Sequence, residues 1–178
     1  MPDPAPAGPD RTSSGWREPS SLLPLRWGPY RFRYLGGLAL AVAGGLLVQV
    51  TSTYSLGVLP IGLFLHITGW CILPGIGWRR VLGAGASALT TIVILNGASA
   101  MVFLVFPLAG WLFLRQRPLV SYAVVAIPVI AAYLLAQAFS EYGWGVLVLS
   151  IVGAVLAGAA WLARSLAVIS RRRPAGSR

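Results

Sequence analysis

Residues 56–80, LGVLPIGLFLHITGWCILPGIGWRR, make one long apolar run with a single histidine near its middle and a Trp-Arg-Arg stop. About 20 apolar residues is the length a helix needs to cross a hydrocarbon core. Arginines that border such a run favour the cytoplasmic side. The run therefore predicts a membrane span and also gives it a direction. Every other segment can be placed relative to that stop.

The rest of the chain repeats the pattern. Of 178 residues only 10% are charged and 57% are hydrophobic. A soluble domain carries roughly 25% charged residues, and here the few charges sit at the ends of apolar runs. The predicted fold class is all-α, an integral membrane helical bundle. The net charge of +10 raises nucleic acid as a partner, but no basic soluble domain interleaved with aromatics is there to carry it. Nucleic-acid binding is set aside. A single cysteine, Cys71, excludes an intramolecular disulfide and any CxxC redox pair.

Residues 1–33 read as a cytoplasmic tail rich in Pro, Ser and Arg that ends in a basic, aromatic collar. The tail is expected to be disordered. It does not read as a signal peptide, because the first apolar run starts near Tyr34 and is as long as a span. Residues 34–164 read as the transmembrane domain, with helices at about 35–52, 56–74, 81–95, 99–114, 118–137 and 145–163. Residues 165–178 read as a basic cytoplasmic tail. The decisive stretch is 81–114. As one helix it would be about 51 Å long against a core of about 30 Å, and it would put two Arg clusters on opposite sides. Broken at the turn dipeptide Asn96-Gly97, it becomes a hairpin. Six helices in three hairpins then keep all 14 arginines and both termini in the cytoplasm. Pro107 and Pro128 are expected to kink their helices.

Small residues recur at helical spacing. Gly37, Ala41, Gly44 and Val48 share a stripe, as do Gly62, His66, Gly69 and Leu73. Gly83, Ser87, Thr90 and Ile94 line one face of the third helix, and Gly153, Ala157 and Ala160 one face of the sixth. Small stripes let helix backbones approach in lipid. They predict interfaces within the chain or with a partner, in a homo- or hetero-oligomer.

His66 lies at mid-span, where an ionisable group suggests function. The other reading is a neutral imidazole hydrogen-bonded to Thr68, Gln49, Asn96 or a carbonyl. No second His and no acid in any span could complete a metal site, so no metal or cofactor is expected. His66, Gln49 and Asn96 form the candidate intramembrane polar cluster. Gly85-Ala86-Ser87-Ala88 and Gly97-Ala98-Ser99-Ala100 match the GxSx pattern of rhomboid-type intramembrane proteases. In those the His follows the Ser, whereas here it precedes both, and helix packing accounts for the serines. No catalytic residue is assigned. Arg31, Arg33, Arg79, Arg80, Arg115, Arg117, Arg171, Arg172 and Arg173 are expected to meet anionic headgroups of the lipid bilayer.

The segment LPIGLFLHITGW…LPGIGWRR resembles a family of small actinobacterial membrane proteins with no assigned activity. Separately, the length, the six spans, the inside termini and Ala39-xxx-Ala43 are similar to the substrate-binding S components of ECF vitamin transporters. That resemblance implies a solute cavity between the helices. The residues themselves point first to a non-enzymatic structural or accessory subunit of the cell membrane. A small-solute transporter component is the alternative, and an intramembrane hydrolase the remote one.

Overall fold

The computed structural model describes residues 28–139 and 144–172, without the side chains of residues 145, 171 and 172. The tail expected at residues 1–27, the Ser140–Gly143 corner, and Arg173 with the residues after it lie outside that description. The described residues are helical, with no strand among them. There are six α-helices: α1 (Tyr30–Gln49), α2 (Val58–Ile72), α3 (Gly77–Val93), α4 (Val105–Leu114), α5 (Ala126–Ala138) and α6 (Gly145–Arg172). A 3-10 segment, Ala98–Leu104, leads into α4, and another, Leu119–Val125, leads into α5. Three helical stretches are long and apolar enough to cross a membrane: Tyr30–Gln49, Leu119–Ala138 and Val146–Ser170.

Several boundaries differ from those expected, each for a local reason. Helix α1 starts at Tyr30, so Arg31, Arg33 and Tyr34 sit on its first turns and not in a collar ahead of it. Gly28 has φ 65° and Pro29 is extended at φ −70°, ψ 147°. Proline disfavours helical backbone in the residue before it, and nothing after it stops the helix. Trp78, Arg79 and Arg80 likewise fall in the first turn of α3, which starts once Pro74-Gly75 is passed. Helix α6 runs nine residues beyond the expected end at 163, and so takes up much of the expected 165–178 tail. Arg164 marks where hydrophobicity falls, but the next helix breaker is Pro174. At about 42 Å, α6 is longer than a core of about 30 Å.

The two prolines change helix type. Each is the third residue of an α-helix that follows a 3-10 segment. Proline lacks the N–H that would bond the carbonyl four residues back. For Pro107 that carbonyl belongs to Phe103, and it lies 3.3 Å from Thr90 Oγ1, whose shorter bond goes to the Ala86 carbonyl at 2.9 Å. The polar face of α3 thus shares a donor with the α4 segment where the latter lacks one.

Helix α1 packs on α2 with the two small stripes face to face. Gly37, Ala41, Gly44 and Val48 are the buried positions of α1, apart from Arg33. Gly62, His66 and Gly69 are buried on α2, and Leu73 follows it. A Cβ on Gly44 would collide with the backbone of His66, and one on Gly69 with the backbone of Ala41. The chain reverses at Gly97, whose φ of 107° suits glycine. The far ends of α3 and α4 are tied by Arg79, whose Nη1 donates to the Phe113 carbonyl at 3.0 Å. Ser121 Oγ donates to the Ala163 carbonyl at 3.0 Å and holds the segment before α5 to α6.

The interior is divided. One buried cluster joins Ala41, Trp70, Leu73, Ala84 and Leu114. A second joins Ile94, Met101, Ala132, Val148 and Val152. A third joins Leu108, Leu112, Val124, Ala159 and Ala163. Helix α1 belongs to the first cluster and α6 to the other two. A cleft separates α1 from α6. The outer surface is apolar: Phe32, Phe64, Leu89, Ile130 and Trp161 are all more than half exposed.

Candidate functional site

The cleft between α1 and α6 has a volume of about 930 Å³, and α3 and α4 contribute to its floor. Two polar groups line it. One lies in its depth and toward the Gln49 end; the other lies at the arginine-rich end.

The first group is built on α3. His66 Nδ1 lies 2.6 Å from the Ala41 carbonyl of α1, and its Nε2 lies 2.8 Å from Ser87 Oγ of α3. A carbonyl only accepts, so Nδ1 carries the ring proton and donates. Nε2 then holds the lone pair, and Ser87 donates to it. Gly45 lies beside this bond, and a Cβ there would come into contact with the imidazole, 3.4 Å from His66 Nδ1. One turn along α3, Thr91 Oγ1 donates to the Ser87 carbonyl at 2.8 Å, and Gln49 Nε2 of α1 donates to the Thr91 carbonyl at 3.0 Å. His66, Ser87, Thr91 and Gln49 therefore make one polar seam joining α1, α2 and α3.

Asn96 is not part of this seam. It is exposed, and its Nδ2 donates to the Val93 carbonyl at 2.8 Å in its own turn. The expected trio of His66, Gln49 and Asn96 is corrected on that point. A turn asparagine satisfies itself on nearby backbone, and the places toward the cleft go to Ser87 and Thr91. In the sequence Ser87 stands out as a GxSx match and as a packing residue, but not as a member of the polar cluster, and Thr91 does not stand out. The signal for both was their spacing of four, which stacks them on one face of α3.

The second group gathers arginines at the opposite end of the bundle. Arg115, just beyond α4, lies over the rings of Tyr34 at 4.6 Å and Trp111 at 5.1 Å. Its Nη2 donates to Tyr30 Oη at 3.3 Å. Burial, with the nearby cations of Arg117 and Arg164, pushes its pKa down to about 10. All three arginines line the cleft. Arg164 was not among the expected headgroup contacts, because it had been read only as the end of helix six.

The remaining arginines turn inward or lie apart. Arg33 is buried and its Nε donates to the Ile72 carbonyl at 3.1 Å; Arg80 donates to the Cys71 carbonyl at 2.7 Å. Both bonds satisfy carbonyls at the C-terminus of α2, as Arg79 does at the end of α4. Cations suit that end of a helix dipole. Arg79 also lies over Phe113 at 4.5 Å. Arg31 is exposed on the first turn of α1, and Arg171 and Arg172 end α6.

Among the described residues no group of three or more His, Cys, Asp or Glu side chains could hold a metal ion. No family model, no curated protein and no solved structure matches the chain.

Proposed function

We propose that this protein crosses the cytoplasmic membrane six times with both termini inside, and that it binds a ligand within the bilayer in the cleft between α1 and α6. The cleft carries this reading: a space of about 930 Å³ with mostly apolar walls, Gln49 toward one end and Arg115, Arg117 and Arg164 at the other. Apolar pockets with a few convergent polar groups are where ligands bind. The role resembles that of a transporter's solute-binding component.

Two observations support the threading. Arg33, Arg79, Arg80 and Arg115 all bond near the ends of α2 and α4 or the start of α1, which is one end of the bundle. Arginines on one side favour the cytoplasm. The apolar outer surface would be costly in water and is matched to lipid.

The role is non-enzymatic. A serine nucleophile must reach its substrate, and Ser87 is 1% exposed while His66 is 7% exposed. Their bond ties three helices together, which is a packing role. A fluorophosphonate probe should leave Ser87 unlabelled.

An accessory-subunit role is the second reading. It is favoured by the small face of α6, where a Cβ on Gly153 would meet nothing within 4 Å. Extraction of the protein in its native lipid, followed by mass spectrometry, separates the two. A small molecule that co-purifies with the wild type and is lost in Ala157→Leu supports binding in the cleft. A protein subunit lost in the same variant, with no small molecule bound to the wild type, supports the accessory role.

A further inference from the structure

The cleft has two unlike ends. Arg115, Arg117 and Arg164 line it where α1 begins and α6 nears its end, while Gln49 and Thr91 lie toward the other. Between them the walls are apolar or small, with Leu38, Val42 and Gly45 on α1 and Gly153, Leu156 and Ala157 on α6. From Tyr30 to Gln49 the α1 wall is about 28 Å long, close to the thickness of a hydrocarbon core.

Its shape suggests what can fill it. The cleft is an open furrow with mostly apolar walls, about as long as a hydrocarbon core is thick, and an extended hydrocarbon or isoprenoid chain matches it along its length. The charge at one end selects what the chain must carry. Guanidinium groups match phosphate oxygens with paired donors, and three of them stand close enough for Arg117 and Arg164 to disfavour the charge on Arg115. A dianionic or monoanionic phosphate among them would relieve that repulsion. It would also lie at the end of the bundle where headgroups belong.

We infer that the cleft holds a lipid whose phosphate carries net negative charge, with the headgroup between Arg115, Arg117 and Arg164 and the chain laid along α1 and α6 toward Gln49. This rests on the reading of the cleft as a ligand site and names the ligand's class. The lipid is bound along its length by the protein, in contrast to the loose attraction of a basic surface for an anionic leaflet.

The test uses the full chain in nanodiscs of phosphatidylcholine doped with fluorescent phosphatidic acid or with fluorescent phosphatidylcholine of the same chains. Phosphatidic acid should be retained at least about tenfold better. Arg164→Gln combined with Arg117→Gln should remove most of that preference, and inorganic phosphate, having no chain, should not compete. Gly153→Leu places a side chain in the open cleft and leaves every arginine in place. It should weaken retention of phosphatidic acid to a similar degree. Equal retention of the two lipids by the wild type overturns the inference, and so does full retention in Gly153→Leu. A third probe, a long-chain alcohol, separates this failure from that of the cleft itself. If the alcohol binds, is excluded by Gly153→Leu and ignores the arginine variants, the cleft is a ligand site but not a phosphate site. If neither lipid nor alcohol responds to Gly153→Leu, both readings fall. Competition by inorganic phosphate at the same strength as by the lipid would place the recognition in a free anion and also overturn the inference.

Discussion

At the scale of single residues, His66 shows how a buried polar group is made affordable in an apolar bundle. Each ring nitrogen has one partner of the right kind, a carbonyl at Nδ1 and a hydroxyl at Nε2. Removing one partner leaves the other buried group unsatisfied, which costs about 1–3 kcal/mol. Ser87→Ala should therefore lower stability in a detergent or denaturant titration by about that much. His66→Ala should cost at least as much, because it also removes volume from the α1–α2 contact. The double variant should fall short of the sum by about 0.6 to 1.7 kcal/mol, the range found for hydrogen bonds between membrane helices. A strictly additive cycle would show that the bond does not form. A second residue prediction concerns Gln116, which has φ 52°. It ends α4 with two backbone bonds: its own N–H to Phe113, and that of Arg117 to Leu112. Glycine is the usual residue at this helix stop, and the left-handed conformation costs a side chain about 1–2 kcal/mol. Gln116→Gly should thus be neutral or stabilising by up to about 1 kcal/mol, the gain being offset by a freer unfolded chain. Clear destabilisation would mean that the Gln side chain has a task of its own.

At the scale of elements, the α1–α2 pair is the part whose packing could be read from sequence. Gly37, Ala41, Gly44 and Val48 facing Gly62, His66 and Gly69 follows from a spacing of three and four, and the two stripes meet each other within the chain. Gly44→Ala and Gly69→Ala should each destabilise by about 1–3 kcal/mol, since the added methyl meets backbone that cannot move aside. Gly36→Ala, on the same helix, has nothing within 4 Å of the new atom. It should be neutral, or stabilising through helix propensity by up to about 1 kcal/mol. Thermal unfolding of the three variants checks both the stripe and its direction. Helix boundaries were less legible, and the reason is physical. Hydrophobicity ends where the chain leaves an apolar layer, whereas helices end where backbone hydrogen bonding is broken. Arg31, Arg79 and Arg164 are polar but lie inside helices, while Pro29 and Pro74 mark breaks. The 3-10 segments before Pro107 and Pro128 were anticipated only as kinks. The polar seam was half legible: His66 and Gln49 stood out as rare residues. Thr91 did not, because only the register of α3 against α1 brings its carbonyl to Gln49. Asn96 misled for the opposite reason, since its rarity in an apolar stretch reflects its work in the turn.

At the scale of the whole molecule, one asymmetry organises the rest. The arginines bond to helix ends at one side of the bundle, and the corner at Asn96-Gly97 lies at the other end of α3 from Arg79 and Arg80. If that arginine side faces the cytoplasm, Asn96 faces outward and Gln116 inward. Cys71 is exposed and must first be replaced by serine. In that background, Asn96→Cys should react with a membrane-impermeant maleimide added to intact cells. Gln116→Cys should react only after the membrane is permeabilised. Labelling at both positions from outside, or only at 116, would overturn the threading and turn the cleft over with it. The orientation matters to the ligand as well as to topology. The three arginines of the cleft would then stand at the inner headgroup level, where a lipid phosphate made or used in the cytoplasm can enter sideways between α1 and α6. Reversed, the same groove would open to lipids of the outer leaflet, so the labelling result also determines from which leaflet the bound chain is drawn.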